Sequence, residues 1–132
     1  MALHFAAIIT LFSLLLFLGT IFAVGHARTK YNIKAPATTG DDDFERVFRV
    51  QMNTLENLAL FLPALWLFNI YVSPLWTGII GAVWIFGRVY YAVSYVRSAA
   101  ARSAGYGISL LAFGVLAIGA TVGIAQRIIS GI

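Results

Sequence analysis

The sequence predicts an all-α membrane protein, a four-transmembrane-helix up-down-up-down bundle, and three observations carry that expectation. Hydrophobic residues make up 61% of the chain and charged residues only 11%, far from the balance of about half and about a quarter found in water-soluble domains. Four long apolar stretches follow one another with short breaks between them. The basic residues gather beside alternate breaks instead of spreading along the chain. Together these features exclude intrinsic disorder, and the absence of cysteine excludes a disulfide scaffold. The net charge of +4 reads first as membrane topology, not as affinity for nucleic acid.

A single domain over residues 1–132 is expected, with helices at about 3–25, 44–72, 74–102 and 106–129. Leu3 to Val24 carries no charge, and at 1.5 Å per residue it reaches about 33 Å, enough to cross a hydrocarbon core of about 30 Å. A cleaved signal peptide is the competing reading. No Lys or Arg precedes the apolar run, and the run exceeds the usual signal core, so a retained helix is expected. Residues 25–43 form the one substantial polar loop, with Pro36, Thr38-Thr39-Gly40 and Asp41-Asp42-Asp43. Asp42 followed by Glu45 is expected to cap the second helix. Pro63 is expected to bend that helix, which a bilayer bundle tolerates. Ser73-Pro74 separates the second helix from the third, because the residue before proline avoids the α region and Pro74 suits a first helical turn. Ser103-Ala104-Gly105 is expected to separate the third from the fourth.

Eight of the nine basic residues, all but Arg127, fall toward the 1–2 and 3–4 connections. Positive-inside places those connections in the cytoplasm and both termini on the non-cytoplasmic side. Tyr71 and Trp76 fall at the level of an outer aromatic belt.

Helices two and three, each about 43 Å long over residues 44–72 and 74–102, overshoot the hydrocarbon core on the charged side. At about 100° per residue, Arg46, Arg49, Asn53 and Glu56 lie within an arc of about 80°, with Asn57 just beside it and Gln51 on another face. On helix three, Arg88, Tyr91, Tyr95 and Arg102 share an arc of about 60°, with Tyr90 and Arg97 roughly opposite. Snorkelling at the interface accounts for Lys30, Lys34, Tyr90, Arg97 and Arg127. It does not account for the stripes, since snorkelling residues need share no face and Glu56 lies about 15 Å along the helix from Arg46. One alternative is structural, with Glu56 and Arg49 pairing with Arg88 as interhelical glue. The other is a pocket. Arginine forks bind carboxylates, Glu56 suits an ammonium, and a phenol or further arginine favours an ionised thiol or oxyanion. The tripeptide thiol glutathione has this charge pattern, though spacing does not separate it from another zwitterionic acid.

The run Phe44-Glu45-Arg46-Val47-Phe48-Arg49-Val50-Gln51-Met52-Asn53-Thr54-Leu55-Glu56-Asn57 resembles the second-helix signature of the membrane-associated proteins in eicosanoid and glutathione metabolism. Gly87-Arg88-Val89-Tyr90-Tyr91, Tyr95-Val96-Arg97-Ser98, Ala27-Arg28 and Pro36-Ala37-Thr38-Thr39-Gly40 match further, and the likeness covers essentially the whole chain. The resemblance implies a homotrimer binding glutathione as cosubstrate between subunits near the cytoplasmic face. It implies Arg49, Asn53, Glu56, Asn57, Tyr91 and Tyr95 as ligand-holding residues of one subunit, and Arg28 and Gln51 as the neighbour's contribution. Arg102 resembles the arginine that stabilises the thiolate, with Tyr91 assisting. Asn57 stands where the leukotriene-synthase branch has tyrosine, which favours general conjugation of hydrophobic electrophiles. Thr29 stands where a second basic residue often follows the first, which weakens the neighbour's expected grip on a carboxylate.

The expected function is therefore a membrane-bound glutathione transferase, with peroxidase-type reduction of lipid hydroperoxides open to the same thiolate. Its partners are glutathione, a hydrophobic electrophile, membrane lipids and two further copies of the chain. The alternative is a non-enzymatic lipid-binding or scaffold protein of the same fold. A channel or transporter is a weaker reading, since four helices leave little room for a pathway and the fourth has no charge before Arg127. No metal site is expected. Asp41–Asp43 reads as a solvated cap, and His4 and His26 lie at opposite ends of the first helix. Gly119 and Gly123 fit the small-xxx-small pattern of tight helix contact.

Overall fold

The computed structural model describes residues 2–132, and they form four long helices. These are α1 (Phe5–Tyr31), α2 (Asp42–Tyr71), α3 (Pro74–Arg97) and α4 (Ser103–Ser130), with short 3₁₀ turns at Ala2–His4 and Ala99–Arg102. Short connections join antiparallel neighbours, so the chain runs up, down, up and down. α1, α3 and α4 are each long and apolar enough to cross a membrane, and α2 carries Glu56, Asn57 and Asn69 within its span. Many large apolar side chains face outward, among them Leu11, Leu15, Phe86, Leu111 and Ile118. Such a surface is stable against acyl chains and not against water. The protein is an integral membrane protein.

Element ends differ from expectation at three places, each for a local reason. α1 continues past residue 25 to Tyr31, because leaving the hydrocarbon does not end a helix. Ala27-Arg28-Thr29-Lys30 adds a turn whose cations suit the negative end of the helix dipole. Asn32 stops it in the left-handed region at φ 59°, and the Ile33 N–H reaches the Arg28 carbonyl at 3.0 Å. The cap of α2 is Asp41 and not Asp42. Its carboxylate accepts from the Phe44 N–H at 3.0 Å, while Glu45 accepts from the Gly40 N–H at 3.3 Å. α2 then runs unbroken through Pro63.

The third difference shapes the site. α3 begins as expected, with Pro74 in its first turn and Ser73 accepting from the Trp76 N–H at 3.3 Å, but it ends at Arg97 and not near Arg102. Ser98 is extended at φ −160°, and its hydroxyl accepts from the Ala100 N–H at 3.3 Å, a local bond that competes with continued helix. A 3₁₀ turn carries Arg102, and α4 starts at once from Ser103. Gly105, expected in the link, is instead a buried contact inside α4. A Cβ there would stand 2.6 Å from the Tyr91 Cα and 2.8 Å from the Gly87 carbonyl. At the other end of α4, Gly119 faces the Phe68 ring and Gly123 the Tyr71 carbonyl.

The apolar core lies between these ends. Leu58, Phe61, Leu65 and Phe68 of α2 pack with Ile9, Trp84, Leu116 and Ala120, and the Phe61 and Trp84 rings stack 3.8 Å apart. A smaller cluster of Val24, Ala27 and Phe44 ties the loop end of α1 to the start of α2. At the end holding the α2–α3 turn, Arg127 donates to the Ile70 carbonyl at 2.9 Å. Arg127 apart, the Arg, Lys, Asp and Glu side chains gather toward the opposite end.

Candidate functional site

At the charged end, α2, α3, the 3₁₀ turn and α4 line a cavity of about 530 Å³ with Arg49, Asn53, Glu56, Tyr91, Tyr95, Arg102, Ser103 and Tyr106. That volume falls within the usual range for small-molecule sites. α2 delivers Arg49, Asn53 and Glu56 from one stripe, because steps of four and three keep them on one face. α3 delivers Tyr91 and Tyr95, one turn apart and both buried. The 3₁₀ turn and the first turn of α4 deliver Arg102, Ser103 and Tyr106.

The tyrosines form a connected wall. Tyr91 and Tyr95 have ring centroids 5.5 Å apart, Tyr91 and Tyr106 are 6.2 Å apart, and the Arg102 guanidinium lies 5.8 Å from the Tyr95 ring centre. Two arginines and one carboxylate therefore share a recess with three phenols, an amide and a hydroxyl. Among the described residues the one ion pair joins Arg46 to Asp43. Glu56, Arg49 and Arg102 face the cavity without neutralising one another, an arrangement that favours a ligand carrying both anionic and cationic groups.

Of the residues singled out in the sequence, Arg49, Asn53, Glu56, Tyr91, Tyr95 and Arg102 come together in this cavity. Arg102 arrives by a route other than the expected one, from the 3₁₀ turn after the chain has left α3. Asn57 does not line the cavity. Its amide nitrogen donates to the Asn53 carbonyl at 2.8 Å and to the Asn53 Oδ1 at 3.2 Å, so it braces a lining residue from one turn below. Arg28 and Gln51 are also outside it. Arg28 donates to the Ala37 carbonyl at 2.8 Å and stands over the Phe44 ring at 5.1 Å, which holds the 1–2 loop against the start of α2.

Arg88 corrects the sequence reading most clearly. It pairs with neither Glu56 nor Arg49 and does not line the cavity. It is 1% exposed, donates to Thr54 Oγ1 at 2.8 Å and lies over the Tyr91 ring. Interhelical glue does exist at this position, but as a cation–hydroxyl bond instead of an ion pair. Ser103 and Tyr106 were missed because residues 103–105 read as a link. With the helix break placed at Ser98, their spacing of three would have put both on one face of α4, close to Arg102.

The comparisons with known proteins agree with this architecture. The model of the MAPEG family matches residues 5–122. An uncharacterised protein of Synechocystis is 48% identical over 122 residues, covering 92% of this chain and 89% of that one. Human microsomal glutathione S-transferase 2 is 38% identical over 103 residues, covering 78% of this chain and 70% of that protein. Guinea pig (Cavia porcellus) leukotriene C4 synthase is 36% identical over 118 residues, covering 89% and 79% respectively. With four helices, a polar recess at one end and similarity that runs through most of both chains, the protein belongs to the MAPEG family.

Proposed function

We propose that the protein is a membrane-bound glutathione transferase, and that glutathione occupies the cavity at the charged end of the bundle. The observation that carries this reading is the meeting of Arg49, Asn53, Glu56, Tyr91, Tyr95 and Arg102 in one recess. Relatives named microsomal glutathione S-transferase 2 and leukotriene C4 synthase support it. Glutathione offers two carboxylates, an ammonium and a thiol. Arg49 takes a carboxylate through its fork, Glu56 takes the ammonium, and Asn53 donates to or accepts from the peptide groups.

Arg102 then faces the sulfur, with Tyr91 or Tyr95 donating to it. An unperturbed thiol ionises near pH 8.5, and lowering that by two units requires about 2.7 kcal/mol of preference for the thiolate. A close guanidinium and a phenol donor in a partly dry site reach that magnitude. The thiol proton leaves to water at the charged end. The sulfur lone pair forms a carbon–sulfur bond to the electrophile, and the leaving group departs with its bonding pair. The electrophile arrives from the bilayer, where hydrophobic substrates concentrate.

A homotrimer completes this site. Glu56 is exposed in the single chain although it lies about 15 Å along α2 from Arg46, a depth at which a carboxylate requires protein cover. A neighbouring copy supplies that cover, with its Arg28 and Gln51 closing the recess. The charged end faces the cytoplasm and both termini lie on the other side, by the distribution of Lys and Arg.

The experiment is glutathione binding by calorimetry, and turnover with a generic aryl halide, on purified wild-type protein and Glu56→Gln. Loss of one charge-assisted contact predicts about ten- to hundredfold weaker binding. Equal affinity and rate in the variant would remove the stripe from the site. Wild-type protein that binds no glutathione at millimolar concentration would favour the lipid-binding or scaffold reading.

A further inference from the structure

Of the polar stripe expected on α3, Arg88 alone stays outside the cavity. It is almost fully buried, and no carboxylate pairs with it among the described residues. One nitrogen, Nη2, donates to Thr54 Oγ1 at 2.8 Å, while Nε and Nη1 have no partner among the described groups. Its guanidinium carbon stands 4.3 Å from the centre of the Tyr91 ring. A buried cation with two unmet donors lowers stability, and an apolar side chain of similar volume would fill the same space without that penalty. Packing therefore does not explain an arginine here.

Its electrostatic setting does. The charge lies against the π face of Tyr91 in a dry environment, where neither salt nor water screens it. Tyr91 is 3% exposed and packs against the Tyr95 and Tyr106 rings, which support it against the guanidinium. The same Tyr91 lines the cavity.

We infer that Arg88 is a positioning residue that works through the Tyr91 ring, fixing its orientation and polarising the phenol so that the O–H donates more strongly to an anionic sulfur in the cavity. A cation over the π face draws electron density from the ring and its oxygen, which strengthens the hydroxyl as a donor. This deepens the glutathione reading above and rests on it. The route through the hydroxyl is separable from the long-range field of the cation. Tyr91→Phe removes the hydroxyl and leaves the ring and the cation in place.

The test uses the full chain in lipid nanodiscs with glutathione and no electrophile. Thiolate absorbance is followed against pH, alongside glutathione affinity at a pH below thiol ionisation and the thermal midpoint. The variants are Arg88→Met and Arg88→Lys, each with and without Tyr91→Phe. Arg88→Met is expected to move the ionisation midpoint of bound glutathione up by about half to one pH unit. Thiolate at neutral pH then falls about one-and-a-half- to threefold from a midpoint near 6.5, with low-pH affinity held and the thermal midpoint equal to or above wild type. Arg88→Lys restores part of the midpoint, because it keeps the charge. In the Tyr91→Phe background the Arg88→Met shift shrinks, as coupled residues require. An unmoved midpoint in Arg88→Met, or the same shift in both backgrounds, overturns the inference. So does a fall in thermal midpoint and affinity with no change in ionisation, which marks a structural strut. Wild-type protein that binds no glutathione overturns the functional reading as well, whereas normal binding with unmoved ionisation overturns the role of Arg88 alone.

Discussion

Gly105→Ala tests whether the approach of α3 and α4 builds the cavity. The added methyl would meet the Tyr91 Cα at 2.6 Å and the Gly87 carbonyl at 2.8 Å, whereas comfortable carbon contacts lie at about 3.5–4.0 Å. The helices must therefore part by about 1 Å. Overpacking costs about 1–3 kcal/mol, and the upper end applies because the obstacle is backbone and cannot swing aside. Alanine returns up to about 1 kcal/mol of helix propensity, leaving a net loss of about 2 kcal/mol. Tyr91 stands on one side of the contact, with Arg102 and Tyr106 on the other, so the same displacement widens the recess. Glutathione affinity falls with stability. The assay is denaturant unfolding in mixed micelles paired with calorimetry. Gly107→Ala, whose Cβ meets nothing within 4 Å in the chain, is the control and is expected to match or exceed wild type. A Gly105→Ala protein as stable and as tightly binding as wild type would refute the reasoning.

Other outcomes are equally specific. Glu56→Gln weakens glutathione binding about ten- to hundredfold by calorimetry while leaving the fold intact, because the substitution keeps shape and removes charge. Arg102→Ala lowers the thiolate absorbance of bound glutathione at neutral pH and moves the pH–rate midpoint upward, since loss of a nearby cation disfavours the ionised sulfur. Equal thiolate in both proteins would remove Arg102 from that role. Asp41→Ala costs about 1 kcal/mol in unfolding experiments by removing the bond accepted from Phe44, whereas Asp42→Ala costs much less.

The four helices and the two polar stripes were legible in the sequence because both are local properties. Apolar length decides what enters the bilayer, and a period of 3.6 residues decides which side chains share a face, with no knowledge of the neighbours. Helical periodicity alone puts Arg49, Asn53 and Glu56 on one side of α2, and Tyr91 and Tyr95 on one side of α3. The resemblance to the family rests on the same residues. The tertiary structure decided what periodicity cannot. Ser98 ends α3, its hydroxyl accepting from the Ala100 N–H, so Arg102 reaches the recess from a 3₁₀ turn and brings Ser103 and Tyr106 with it. Gly105, which reads as a linker, is the point where α3 and α4 touch. Arg88 and Tyr91 occupy the same arc of α3, yet one is sealed against Thr54 and the other opens on the cavity. An arc of about 60° is narrower than the face a neighbouring helix covers. Which residues in it are buried therefore depends on where α2 and α4 cross α3, and only the packed bundle fixes those crossings.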